Sequence, residues 1–213
     1  MLVRDIMETN VVTLPSSTVV PEAVNIMRAH RIERLPVVDK GILVGMVTKD
    51  TLLRASPSPA TSLSIHEMSY LLSKLTIGEI MKKEVVTITP AATVEAAINL
   101  AQTKKVGCTP VVEGERVVGI VTTDDIVFKI LNPLLGIGVP GQRIIVYRCG
   151  NAEHIEQVMG CINKRGVRIK STCTVAGQAG EENNLLIHLD TEDASQIATE
   201  LESLGYTVEI RQR

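Results

Sequence analysis

The chain repeats itself. Ile6 falls on Ile80, 74 residues later, and the same shift carries "IMETNVVTL" (6–14) onto "IMKKEVVTI" (80–88). It also carries "EAVN" (22–25) onto "AAIN" (96–99) and "LPVVDKGILVGMVTKD" (35–50) onto "TPVVEGERVVGIVTTD" (109–124). No gap is needed between residues 6 and 53. A match of that length means two copies of one structural unit that cover each other's apolar faces.

Each copy reads as β-α-β-β-α. A short extended piece, "VVTL" or "VVTI", comes first. A helix follows with apolar spacing at Val20, Ala23, Val24 and Met27, or Val94, Ala97, Ile98 and Ala101. "PVVDKGILVGMVT" and "PVVEGERVVGIVT" read as two β-branched strands around a turn at Gly41 or Gly114. A second helix starts at Thr51, and at Asp125 it runs to about Leu131. Between the copies, "ASPSPATS" (55–62) reads as a loop and "LSIHEMSYLLSKL" (63–75) as a connecting helix, with Ile65, Met68, Leu72 and Leu75 on one side. The expected boundaries are 1–62 for the first copy with its loop, 63–76 for the connecting helix and 77–131 for the second copy.

Residues 132–142, "NPLLGIGVPGQ", read as a linker. Gly136, Gly138 and Gly141 spell G-x-G-x-x-G, but a dinucleotide loop must follow a strand and open a helix. Here the order is reversed, and a flexible hinge is the simpler reading. The tail, 143–213, changes pattern to strand, helix, two strands, helix, strand. "NAEHIEQVMGCINKRG" carries Ile155, Val158, Met159 and Ile162 on one side, and "TEDASQIATELESLG" has Asp190 or Thr191 as N-cap and Gly205 as stop. That order is the split βαβ arrangement. The fold class is α/β, of the α+β kind.

Composition removes several functions. Among 213 residues there is no Trp, one Phe and three Tyr, so base stacking on aromatic platforms is disfavoured, and the net charge of -2 gives no basic footprint for nucleic acid. No apolar run reaches the roughly 20 residues that span a bilayer, and the N-terminus lacks a signal-peptide core. Four widely spaced Cys (108, 149, 161, 173) and four scattered His point to free thiols in a reducing cytoplasm, with no zinc or disulfide spacing. No nucleophile–base pair stands out; Cys149 and Cys161 have His154 near them in sequence, which spacing alone does not turn into a catalytic pair.

One motif carries chemistry. "VTTDDIV" places Asp125 three residues after Thr122, where the first copy has Thr48 and Thr51. By itself the pair reads first as a capping box, as many helices start this way, and second as a carboxylate beside a helix start that receives a ribose diol while the helix end favours an anion.

The two copies resemble the cystathionine-β-synthase (CBS) domain over residues 1–131, through "VVT", "LPVVD" and "TPVVE", and "GMVTKD" and "GIVTTDD". The tandem is similar to a Bateman module. The resemblance implies a non-catalytic protein that binds AMP, ADP, ATP or S-adenosylmethionine between paired repeats, with no required cofactor or metal. It implies a ribose site at Thr122 and Asp125, a first-copy site at Thr48 weakened by Thr51, an adenine pocket lined by Ile88, Thr89, Pro90 and Pro110, and a phosphate contact from Arg34. Cys108 stands at Arg34's position in the second copy. "INKRGVRIKS" and the strand order make the tail similar to an ACT domain, although the Pro-Gly pair that helps such domains hold amino acids falls on Ala152 and Glu153. With the "ASPS" linker, the combination is similar to the acetoin-utilisation AcuB-type group. The expected protein is a cytoplasmic, homodimeric ligand sensor without nucleic-acid or membrane partners, acting through its tail or on a protein target. A ligand-free dimerisation module is the alternative.

Overall fold

The structure, a computed structural model, describes residues 1–55, 64–177 and 180–211; the side chains at 65, 66, 68 and 69 lie outside that description. The expected loop at 56–62, and the Ile65 and Met68 side chains of the connecting helix, therefore fall outside it. The chain divides into two compact units, Met1–Ile126 and Val127–Arg213.

The first unit holds both repeats. The first contributes α1 (Val3–Ile6), α2 (Val20–His30), β1 (Arg34–Asp39), β2 (Ile42–Thr48) and α3 (Lys49–Ala55). After α4 (Ile65–Lys74), the second contributes α5 (Ile77–Ile80), α6 (Val94–Lys104), β3 (Cys108–Glu113), β4 (Arg116–Thr122) and α7 (Thr123–Ile126). The hairpins form where expected. Lys40 and Gly41 both take positive φ (51° and 85°), the backbone that lets a two-residue turn match the twist of its strands.

The leading "VVTL" and "VVTI" pieces are shorter than expected. Each makes one parallel bridge, Leu14 to Val37 and Ile88 to Val111. Pro15 follows the first piece directly and Pro90 follows the second after Thr89, and a proline has no N–H to extend a ladder.

The repeats exchange their first turns. Val3 and Arg4 of α1 donate their N–H groups to Ala92 and Pro90 of the second repeat, and Glu8 bridges Ile120 on β4. Reciprocally, Ile77 and Gly78 of α5 donate to Thr18 and Ser16 of the first repeat, and Lys82 bridges Met46 on β2. Ile77 thus completes the first repeat's core, with Leu14, Val20, Ala23, Met27, Leu35, Val37, Val47 and Leu52; Leu72 of α4 and Leu75, its C-cap, pack against it. The expected apolar face of α2 is the buried one, since Val20, Ala23 and Met27 are at most 5% exposed.

The exchange needs glycine twice. A Cβ on Gly119 would come 2.5 Å from the Met7 sulfur and 3.2 Å from the Glu8 carbonyl oxygen, and Gly45 meets Met81 and the Lys82 carbonyl in the same way. The Met side chain can turn aside, but the bridged backbone cannot. Gly119→Val is expected to destabilise the first unit by about 1–3 kcal/mol, read by urea unfolding. Met7→Ala in the same chain should recover part of that loss, a coupling of the kind adjacent residues show.

The second unit is a split βαβ sheet. β5 (Gln142–Val146), α9 (Ala152–Lys164), β6 (Ile169–Val175), β7 (Asn184–Leu189), α10 (Ser195–Ser203) and β8 (Val208–Arg211) follow in chain order. The sheet order is β6-β7-β5-β8, antiparallel throughout. Ile144, Val146, Leu185, Ile187 and Leu189 face the helices, where Val158, Cys161, Ile162, Ile197 and Leu201 complete the core. Asn151 caps α9 by accepting from the His154 N–H at 2.8 Å. α10 starts later than the sequence suggests, and neither Asp190 nor Thr191 caps it. Thr191 Oγ1 instead accepts from Asp193 N, and Ala194 N donates to the buried Gln142 side chain at 2.7 Å, which holds the preceding residues out of the helix.

Residues 127–141 are not a free hinge. A π-helical turn (Val127–Leu131) and α8 (Asn132–Leu134) lead into a strap that lies on the tail sheet. Arg143 and His188 are register partners, one residue off the helix-facing positions, and so point to the other face. Arg143 donates to the Leu135 carbonyl, Lys170 Nζ donates to the Pro140 carbonyl at 2.6 Å, and the His188 ring lies against Gly136 and Gly141. His188 is consequently 2% exposed. The three glycines take φ of +60°, +77° and +126°, so the G-x-G-x-x-G spacing belongs to a seated strap.

Candidate ligand-binding cleft

Thr122 ends β4, and Asp125 sits in the first turn of α7. Asp125 Oδ2 accepts from Thr122 N and from Thr122 Oγ1, both at 2.8 Å, while Asp125 N donates to Thr122 Oγ1 at 3.3 Å. The capping box is made. A carboxylate accepts about four hydrogen bonds, so capping and holding a diol are compatible tasks.

The pair lines a cleft of about 730 Å³ between the repeats. From the first repeat come Glu8, Asn10, Val11, Val12 and Arg31 to Arg34; from the second come Gly107, Cys108, Ile120 and Thr122 to Asp125. Arg34 reaches across. Its Nη2 lies 3.3 Å from where a Gly107 Cβ would stand, and Thr123 Oγ1 lies 3.4 Å from the same point. The bare backbone of Gly107 makes room for the guanidinium. Burial pushes the Cys108 thiol up to about 11; Arg34 opposes the rise and Asp125 adds to it, so both charges act at this spot. Cys108 therefore stays a neutral thiol near pH 7 and is a poor nucleophile. Cys149 and Cys161 are likewise raised by burial in the tail core, while His154 meets Asn151, Glu182 and Tyr206.

Of the residues expected at the site, Thr122, Asp125 and Arg34 converge. Thr48 lies in the first repeat, where its Oγ1 is 2.9 Å from Thr51 Oγ1 and accepts from Thr51 N at 3.1 Å. Thr51 thus keeps half of the cap and none of the charge. Ile88, Thr89, Pro90 and Pro110 are not among the residues that line the Asp125 cleft. Thr89 and Pro90 line a separate cleft of about 560 Å³ with Arg4, Met7, Val112 and Glu113. Ile88 pairs with Val111, and Pro110 is buried opposite Ile120. The exchanged first turns are the reason. Glu8 on Ile120 brings residues 8–12 beside Thr122, whereas Lys82 on Met46 sends the equivalent second-repeat stretch toward Thr48.

The first-repeat counterpart differs at each charged position. Thr51 replaces Asp125, Cys108 replaces Arg34, and the Lys49–Glu33 ion pair, at 2.9 Å, stands where the other side has Thr123 and Gly107. Thr51→Asp should complete a second capping box and stabilise the first unit by about 0.3–1 kcal/mol, as an acid in a helix's first turn does. Thermal melting checks this.

Two exchanged β-α-β-β-α repeats with a cleft between them define a CBS pair. Matches to the CBS domain cover residues 3–58 and 77–132, and the chain belongs to the CBS-domain family. The CBS domain-containing protein YhcV of Bacillus subtilis is 29% identical over 125 residues, 58% of this chain and 81% of that protein. A CBS domain-containing protein of Dictyostelium discoideum is 32% identical over 138 residues, 62% and 95% of the two chains. Among solved structures, an acetoin utilization protein (AcuB) from Vibrio cholerae is similar at a TM-score of 0.54 and 30% identity, covering 64% of this chain and 96% of that one. The structure of CBSX2 in complex with AMP is similar at 0.52 and 26% identity, covering 62% and 96%. No helix among the described residues is long and apolar enough to cross a membrane.

Proposed function

We propose that this protein is a non-catalytic regulator that binds one adenosine-containing ligand per chain in the cleft between its CBS repeats. The observation that carries the reading is that Asp125 from one repeat and Arg34 from the other line the same cleft, with Arg34 seated against the bare backbone of Gly107. Asp125 accepts the ribose hydroxyls, and Arg34 faces a phosphate or another polar arm. The AMP complex of the similar CBSX2 structure supports an adenosine ligand. Because the two groups lie on different repeats, a ligand touching both favours one arrangement of the repeats over others. The ACT-like tail, or a partner protein, receives that change. Such a protein acts in the cytoplasm as a homodimer and needs no metal or catalytic cofactor.

Calorimetric titration with AMP, ADP, ATP and S-adenosylmethionine tests the reading. One ligand bound per chain, with a matching rise in melting temperature, is the expected result. No heat and no thermal shift with any of the four would sink it and leave the ligand-free dimerisation module.

A further inference from the structure

The charged side chains of the cleft wall do not balance. The lining carries four carboxylates, Glu8, Glu33, Asp124 and Asp125, against two guanidiniums, Arg31 and Arg34. The wall is thus net −2. Lys49, paired to Glu33 at 2.9 Å, reduces this only to −1. Arg34 has no basic counterpart at the equivalent second-repeat position, which is Cys108, itself in the lining and neutral. Arg34 Nη2 and Thr123 Oγ1 both lie close to Gly107, so one guanidinium and one hydroxyl donor stand together there. The remaining charged groups of the lining, Arg31 apart, are carboxylates.

We propose, resting on the adenosine reading above, that this cleft selects a nucleoside bearing at most one phosphate and rejects di- and triphosphates. The rejection is electrostatic. ATP brings about two more negative charges than AMP near neutral pH, and a cleft walled by one sign of charge concentrates ions of the other sign. Specificity then comes as much from the repelled ligand as from the attracted one.

The test is titration of the full chain with adenosine, AMP and ATP in magnesium-free buffer, at low and high salt. AMP is expected to bind at least tenfold more tightly than ATP at low salt. The ratio should shrink as salt shortens the screening length toward a few ångströms. A Glu8→Gln, Asp124→Asn chain should bring ATP within about threefold of AMP, because the wall loses two charges while the Thr122–Asp125 cap stays. Arg34→Ala should erase the advantage of AMP over adenosine. If ATP binds as tightly as AMP while adenosine still binds, the charge selection is wrong and the adenosine site stands. If none of the three binds, the adenosine reading itself is overturned.

Discussion

Asp125→Ala should weaken binding of the adenosine ligand by ten- to a hundredfold or more while leaving the fold intact. In the proposed complex the mutation removes the acceptor for two vicinal hydroxyls. Charge-assisted hydrogen bonds contribute about 1.5–3 kcal/mol each, and each 1.4 kcal/mol is a factor of ten in affinity. The same carboxylate also accepts from Thr122 N and Oγ1, so the ligand-free protein should lose some stability too. That loss is small, about 0.3–1 kcal/mol for an acid at a helix start. The two effects separate cleanly. Ligand at a hundred times its Kd stabilises the native state by about 2.7 kcal/mol. Wild type should show that rise in melting temperature, and Asp125→Ala should show little of it at the same ligand concentration. A mutant that melts slightly early yet gains the full ligand shift would reduce Asp125 to a cap.

The repeat made most of the first unit legible. Periodicity at Val20, Ala23, Val24 and Met27 marked the buried face of α2, and Gly41 and Gly114 marked the hairpin turns. These are local signals, set by the pitch of a helix and the handedness of a turn. The cleft was legible only in part, because it depends on which copy each first turn joins. Identical "IM" segments fit either partner by pattern. Only the three-dimensional exchange, with Met7 on Gly119 and Met81 on Gly45, decides that Val11 and Val12 stand beside Asp125 and Ile88 to Pro90 do not. Glu8, Gly107 and Asp124 went unnoticed for the same reason. Paired glycines at equivalent positions, Gly45 and Gly119, were a signal of close backbone approach that the sequence did contain. The strap was illegible for a different reason. Its glycines look like a hinge by composition, and what seats them, His188 and Arg143, comes from a sheet face that alternation alone assigns to solvent.

Gly141→Val should destabilise the tail unit selectively, and the strap explains why. Gly141 has φ of +126°, a region nearly closed to side-chain-bearing residues. A Cβ there would also overlap the Leu189 carbonyl, which belongs to a central strand and cannot retreat. Backbone strain of this sort costs about 1–3 kcal/mol and overpacking a similar amount, together about 2–6 kcal/mol. A domain the size of Val127–Arg213 has a total stability of only about 4–13 kcal/mol at 0.05–0.15 kcal/mol per residue. Hydrogen exchange should therefore show strands β5 and β7 losing protection while β1 to β4 keep theirs. Gly138→Ala is the control. Its φ is also positive, at +77°, but a Cβ there meets nothing within 4 Å. It should cost only the conformational penalty of about 1–2 kcal/mol for a left-handed residue. A Gly141→Val chain as well protected as Gly138→Ala would mean that the strap does not press on the sheet, and that residues 132–141 are the free hinge their composition suggests.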